Sequence, residues 1–178
     1  MDPIALLHKY LDISPGLFDI VYRHSRDVAD LALEMAARHP ELGADLFFLE
    51  EAALLHDIGV VKTKASPICC FGEEPYIRHG ILGAEILRAE GLPRHALVCE
   101  RHTGTGLSKA DIEARQLPLP SRDFLPQTIE EQLICFADKF YSKTHLEHRR
   151  STAEARQKLE KFGPETLARF DAWCKSFL

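Results

Sequence analysis

Apolar residues recur along this chain at helical spacing almost from end to end. Leu17, Val21, His24, Val28, Leu31 and Met35 advance by alternating steps of three and four, the spacing of one buried stripe on an α-helix. Pro40 stops that helix, so it is expected over Leu17 to Arg38. A shorter amphipathic helix, Asp2 to Leu11, precedes it and ends at Ser14-Pro15-Gly16. Asp45 has the chemistry of an N-cap for a third helix, Leu46 to Asp57, with Gly59 as its exit. Further helices are expected over Tyr76 to Glu90, closed by Gly91, and over Pro93 to His102, where Pro93 suits a first turn. Thr128-x-x-Glu131 and Ser151-x-x-Glu154 read as capping boxes that open two more. Gly163-Pro164 opens a last helix that runs to the C-terminus. No segment alternates convincingly as a strand, so the pattern predicts an all-α fold in a single domain.

Against this apolar background, certain polar residues stand out. His24 occupies an interior position of the long stripe. His56-Asp57 closes the apolar run Ala52-Ala53-Leu54-Leu55, where the chain is turning and both side chains can reach one centre. Asp138 lies within Leu133-Ile134-Cys135-Phe136-Ala137, continuing to Phe140. A carboxylate there is costly to bury unless it is paired or holds a metal. His79 and His102 stand at the beginning and end of helical segments. The two long stretches without clear periodicity, Val60 to Pro75 and Thr103 to Gln127, each follow candidate ligands and read as active-site loops.

Imidazole and carboxylate suit divalent iron, manganese, cobalt or zinc. Six such groups exceed the needs of one tetrahedral site and suffice for two metals sharing a carboxylate. Paired metals about 3.5–4 Å apart are a recurring device for hydrolysing phosphate esters. The other histidines, His8, His39, His95, His145 and His148, lack comparable placement and are read as surface residues.

Composition narrows the partners. A net charge of -5 with dispersed basic residues argues against a nucleic-acid polymer, which would favour a basic stripe. No apolar run approaches the roughly 20 residues of a membrane span, and the N-terminus lacks the basic and small-residue features of a secretory signal. The expected location is the cytoplasm. The five cysteines include no C-x-x-C pair and are expected to be free thiols. The metal pair would supply the positive charge needed to bind a small anion.

The ordered set His24, His56-Asp57 and Asp138, with His56-Asp57-Ile58-Gly59 as its extended form, resembles the HD superfamily of metal-dependent phosphohydrolases. HSRDVADLALEMA is similar to the first helix of that family and LICFADKF to its last ligand helix. The resemblance runs from about Leu17 to Ser142, leaving C-terminal helices over 151–178. His79 and His102 resemble the extra pair of the binuclear branch. RHTGTGLS followed by ADKF looks like bacterial HD hydrolases that cleave diadenosine tetraphosphate, and resembles still more closely a set of small bacterial HDIG proteins of unassigned substrate. The resemblance implies a helical bundle with a metal site in its core. One metal would take His24, His56, Asp57 and Asp138; the second would take His79 and His102, with Asp57 as bridge.

It also implies hydrolysis of a small phosphate ester or anhydride, a nucleotide for preference, by a metal-bridging hydroxide that Asp57 orients. Lys62, Thr103 and Lys139 are the candidates for phosphate contact. Several family members carry lysine directly after HDIG; here Val60 and Val61 intervene before Lys62. No Gly-Tyr-Pro motif follows the histidines, which argues against a cyclic-di-GMP phosphodiesterase, and the acidic pair of guanosine-tetraphosphate hydrolases is missing. A diiron oxygenase on the same fold, and a non-catalytic nucleotide-binding domain, are the rival readings.

Overall fold

In the computed structural model, which describes residues 1–178, Asp2 accepts from the Ile4 and Ala5 amides and starts α1 (Pro3–Leu11). The long stripe lies on α2 (Leu17–Arg38), and each of its members from Leu17 to Met35 is buried. Asp45 accepts from the Phe48 amide and starts α3 (Leu46–Leu55). Six helices follow: α4 (His79–Ala89), α5 (Pro93–Arg101), α6 (Lys109–Ala114), α7 (Ile129–Ala137), α8 (Thr152–Leu159) and α9 (Pro164–Phe177). The fold is all-α, and no helix is long and apolar enough to cross a membrane.

Several local expectations change. The third helix stops at Leu55, with His56 as its C-cap, and a 3-10 turn over Ile58–Lys62 follows. The expected loop from Val60 to Pro75 contains a two-stranded antiparallel ribbon, β1 (Lys64–Ala65) with β2 (Cys70–Phe71). Two-residue strands are too short to show alternation, so periodicity could not find them. The second loop contains α6, which is started by a reciprocal box between Ser108 and Asp111. The Ser151–Glu154 box forms in full. The Thr128 box forms only by half: Thr128 accepts from the Glu131 amide, but the Glu131 carboxylate takes the Gln127 amide and Arg101 instead.

Gly59 was expected to free a sharp helix exit, but its backbone is not left-handed. Its lack of a side chain serves packing. A Cβ at Gly59 would stand 2.1 Å from the His79 carbonyl and 2.2 Å from the Gly83 amide. The turn after His56-Asp57 therefore lies directly on the backbone of α4.

The apolar interior has two parts. One gathers Val28, Met35, Leu49, Phe136, Phe170 and Phe177 from α2, α3, α7 and α9. The other gathers Leu7, Leu17, Val21, Leu55, Ile58 and Leu87 from α1 to α4. On α2, His24 falls between Val21 of one part and Val28 of the other. On α3 the junction falls between Ala53 and Leu55, just before His56. His24 and the His56-Asp57 pair stand at this seam.

Candidate metal centre

The six residues converge there, each brought by a different local device. The α2 stripe carries His24 inward. The end of α3 turns His56 and Asp57 into the same space. His79 begins α4, His102 caps α5, and Asp138 caps α7. His24, His56, Asp57, His79 and His102 are all buried.

Asp57 divides its two oxygens between two groups. Its Oδ2 lies 3.1 Å from His24 Nε2 and 2.9 Å from His56 Nε2. Its Oδ1 lies 3.6 Å from His79 Nε2 and 3.5 Å from His102 Nε2. Asp138 Oδ1 completes the first group, 3.0 Å from His24 Nε2 and 3.7 Å from His56 Nε2. Each group gathers its ligand atoms within 4.8 Å of one another.

Three imidazoles are oriented by their own backbone. His56 donates Nδ1–H to the Ala53 carbonyl at 2.6 Å, His79 to Tyr76 at 2.7 Å, and His102 to Cys99 at 2.7 Å. A carbonyl can only accept, so whenever such a ring is neutral its lone pair lies on Nε2, facing the centre. Burial, with help from the neighbouring His102, pushes His79 down to about 3, and burial also lowers His102. Both rings are therefore neutral, yet their Nε2 atoms face each other at 2.9 Å. Two lone pairs at that distance repel unless a cation lies between them.

The other atoms of the cluster are left unpaired in the same way. His24 Nε2, His56 Nε2 and both Asp57 oxygens are buried without a well-formed hydrogen bond. Ligands at right angles about a cation, each about 2.1 Å away, stand about 3.0 Å apart. The pairs from 2.9 to 3.1 Å match that edge. These residues fit divalent-cation binding, in two ligand groups that share Asp57.

Electrostatics holds both carboxylates ionised. Burial pushes Asp57 up, but His56, Lys143 and further hydrogen bonds outweigh it and leave the carboxyl well below its usual range. Asp138 behaves alike, with Lys139 as its largest counterweight. Burial lowers His56, while Asp57 and Asp138 raise it to a net value of about 9.

A cavity of about 440 Å³ opens beside the centre. His24 and Asp138 reach it, together with Tyr76, Tyr141, Phe162 and Ile68. Its cationic side chains are Lys139, Lys143, Arg150, Lys158 and Lys161, against the single acid Asp138. On a chain with a net charge of -5, this is a local reversal of sign.

The phosphate-contact candidates separate. Lys139 lines the cavity, 2.7 Å from Asp138 Oδ2, and its ammonium donates to the His102 carbonyl. Lys62 is exposed and Thr103 is half-buried, and neither lines the cavity. Lys143, which sequence reasoning missed, places Nζ 2.5 Å from Asp57 Oδ2. It lies in an irregular segment after α7, where no periodicity could point to it; its only signal was nearness to Asp138. His95, expected at the surface, is buried against Phe48, with Nε2 3.4 Å from Glu51. The cysteines are free, as expected, and burial raises Cys135 to about 12, which marks it as a packing residue.

Fold and site together define an all-α protein whose buried seam gathers histidines and aspartates in two groups around a shared carboxylate. The family model described as the HD domain matches residues 21–142, and the chain belongs to that family. Among curated relatives it is 38% identical over 129 residues to a protein named tRNA (cytidine(56)-2'-O)-methyltransferase from Picrophilus torridus. It is 33% identical over 140 residues to the protein of the same name from Thermoplasma volcanium. These matches cover 72% and 78% of this chain but only 33% and 35% of the relatives. An uncharacterized protein of Methanocaldococcus jannaschii is 38% identical over 121 residues, covering 66% of this chain and 64% of the relative.

Among solved structures, the HD domain of the L. monocytogenes phosphodiesterase PgpH aligns with a TM-score of 0.54 at 24% identity, covering 88% of this chain and 81% of that one. The same domain in complex with cyclic-di-AMP aligns at 0.55 and 22%, covering 89% and 80%. At that identity the likeness speaks for the fold.

Proposed function

We propose that this chain is a metal-dependent phosphohydrolase acting on a small phosphate ester or anhydride, a nucleotide for preference. The observation that carries this reading is the facing pair of neutral Nε2 atoms on His79 and His102, set against the shared carboxylate of Asp57. His24, His56 and Asp138 would hold one divalent cation, His79 and His102 a second, and Asp57 both. Such a pair supplies Lewis-acid charge and acidifies water, which is what phosphoryl transfer to water requires.

The rest of the chemistry belongs to the protein. Lys139 and Lys143 bring ammonium groups to the edge of the centre, where charge builds on phosphoryl oxygens as the ester bond breaks. The Nδ1 bonds of His56, His79 and His102 fix ring orientation before substrate arrives, so little reorganisation is needed. Tyr76 stacks on His79 with ring centroids 4.7 Å apart and borders the cavity, shielding one side of the centre from bulk water. The substrate binds in the cationic cavity with its reacting phosphate toward His24 and Asp138.

The relatives named as methyltransferases are about three times as long as their matched segments. We assign the phosphohydrolase role to the matched part and methyl transfer to the remainder of those proteins. The test is a hydrolysis screen of metal-loaded protein across nucleotides and other phosphate esters with manganese, iron or cobalt. Release of phosphate or of a nucleoside phosphate is expected. Bound metal with no hydrolysis across the panel, and oxygen consumption by the iron form, would replace this reading with an oxygenase.

A further inference from the structure

Lys158 and Lys161 lie in and just after α8, beyond the residues matched by the family model, yet both line the same cavity as His24 and Asp138. The cations nearest the centre are already engaged. Lys139 pairs with Asp138 and Lys143 with Asp57. Arg150 donates Nη1 to the Lys139 and Tyr141 carbonyls, bracing the segment after α7. Lys158 and Lys161 have no carboxylate within the 4.0 Å of an ion pair. Lys161 instead lies over the Phe162 ring, 5.0 Å from its centroid.

A cavity of about 440 Å³ is in the usual range for a whole ligand and far exceeds one phosphoryl group. Whatever sits against Asp138 leaves space beside two free ammonium groups and the apolar wall of Leu159 and Phe162. Unpaired cations at a shared cavity attract the part of the substrate that is not reacting, provided that part is anionic. A monoester has nothing to offer there. A linked phosphate chain does.

We propose that Lys158 and Lys161 form a second phosphate subsite, which makes the chain selective for substrates carrying two or more linked phosphates. This deepens the phosphohydrolase reading and rests on it. The reacting phosphate lies at the metal centre. The next phosphates of the chain run toward α8, and Phe162 borders the organic group attached to them.

The experiment compares manganese-loaded full chain with its Lys158→Gln/Lys161→Gln variant. Binding of a nucleoside monophosphate and of the matching non-hydrolysable methylene-bridged triphosphate is measured by calorimetry. Chelation of manganese in solution is common to both proteins and cancels in the comparison. Wild type should prefer the triphosphate, and the double variant should lose about tenfold of that preference, two exposed charge contacts' worth, with monophosphate affinity unchanged. A Lys158→Arg/Lys161→Arg variant should keep the preference, since charge and not shape is required. Equal binding of the two ligands by wild type, or an undiminished preference in the Gln variant, overturns the subsite. The expected binding pattern without hydrolysis of any member of the phosphate panel supports the subsite and overturns the phosphohydrolase reading instead.

Discussion

Lys143 Nζ lies 2.5 Å from Asp57 Oδ2, the same oxygen that faces His24 and His56. An ammonium thus shares the most crowded carboxylate oxygen of the site. Burial pushes the lysine toward neutrality, but Asp57, Tyr76 and Asp138 more than reverse that and keep it protonated. Its charge competes with any divalent cation bound to the same oxygen.

The variant Lys143→Met should separate these roles. Without metal it leaves the Asp57 charge less compensated in a fully buried position, and breaking such a pair costs about 3–5 kcal/mol. At roughly 2–4 °C per kcal/mol for a domain of this size, the melting temperature of chelator-treated protein should fall by about 6–20 °C. Added manganese should recover more of this in the variant than in wild type, because the competing cation is gone. Equal manganese shifts in the two proteins would show that Lys143 does not oppose metal.

Proton release should accompany metal uptake at the first group only. His56 has its affinity for protons raised to about 9, against an ordinary value near 6.5. Its protonated form therefore stabilises the metal-free protein fully below about pH 6.5, and that contribution is lost as pH rises through 9. Metal requires the neutral ring, so manganese affinity should climb over the same interval. His79, at about 3, is already neutral and adds nothing there. Calorimetry at pH 7 in buffers of different ionisation enthalpy should detect about one proton released on filling the site. Release of two or more would mean that a ligand imidazole besides His56 is also protonated.

Asp57→Ala removes the only group that reaches both halves of the centre, whereas Lys62→Ala changes an exposed side chain away from the cavity. Phosphohydrolase turnover should fall at least about a thousandfold in the first, and stay within about twofold of wild type in the second. Steady-state rates, metal content and circular dichroism are measured together. A folded Asp57→Ala protein with normal turnover would end the metal-centred mechanism, and a large loss in Lys62→Ala would place that lysine at the substrate.

What could be read from the chain follows from the range of each interaction. His24 was legible because a regular stripe of apolar neighbours fixed which way it points. His56-Asp57, His79, His102 and Asp138 were legible as polar residues at the ends of periodic segments. Lys143 and the cationic wall from α8 were not, because only tertiary folding brings them to Asp57 and the cavity. His95 turns inward for the same reason: α5 supplies a histidine at an unremarkable position, and Phe48 and Glu51 of α3 bury it. The ribbon and α6 are too short for their periods to register.

Gly59 couples the metal centre to the packing of α4. It directly follows His56-Asp57-Ile58, and any Cβ there would stand 2.1 Å from the carbonyl of His79, itself a member of the second group. Backbone cannot yield as a flexible side chain can, so Gly59→Ala must push the turn away from α4. Overpacking of this kind costs about 1–3 kcal/mol or more, and here it also widens the gap between Asp57 and His79. Gly83 sits across the same contact, but a Cβ there would stand 3.1 Å from the Gly59 amide and 3.2 Å from Cys99 Sγ, which a few tenths of an ångström relieve. Gly59→Ala should therefore lower both melting temperature and manganese stoichiometry, from two toward one per chain. Gly83→Ala should cost less stability and keep both metals. Metal analysis of the two variants alongside thermal unfolding checks this. A stable Gly59→Ala protein with full manganese content would mean that the turn and α4 can separate without disturbing the centre.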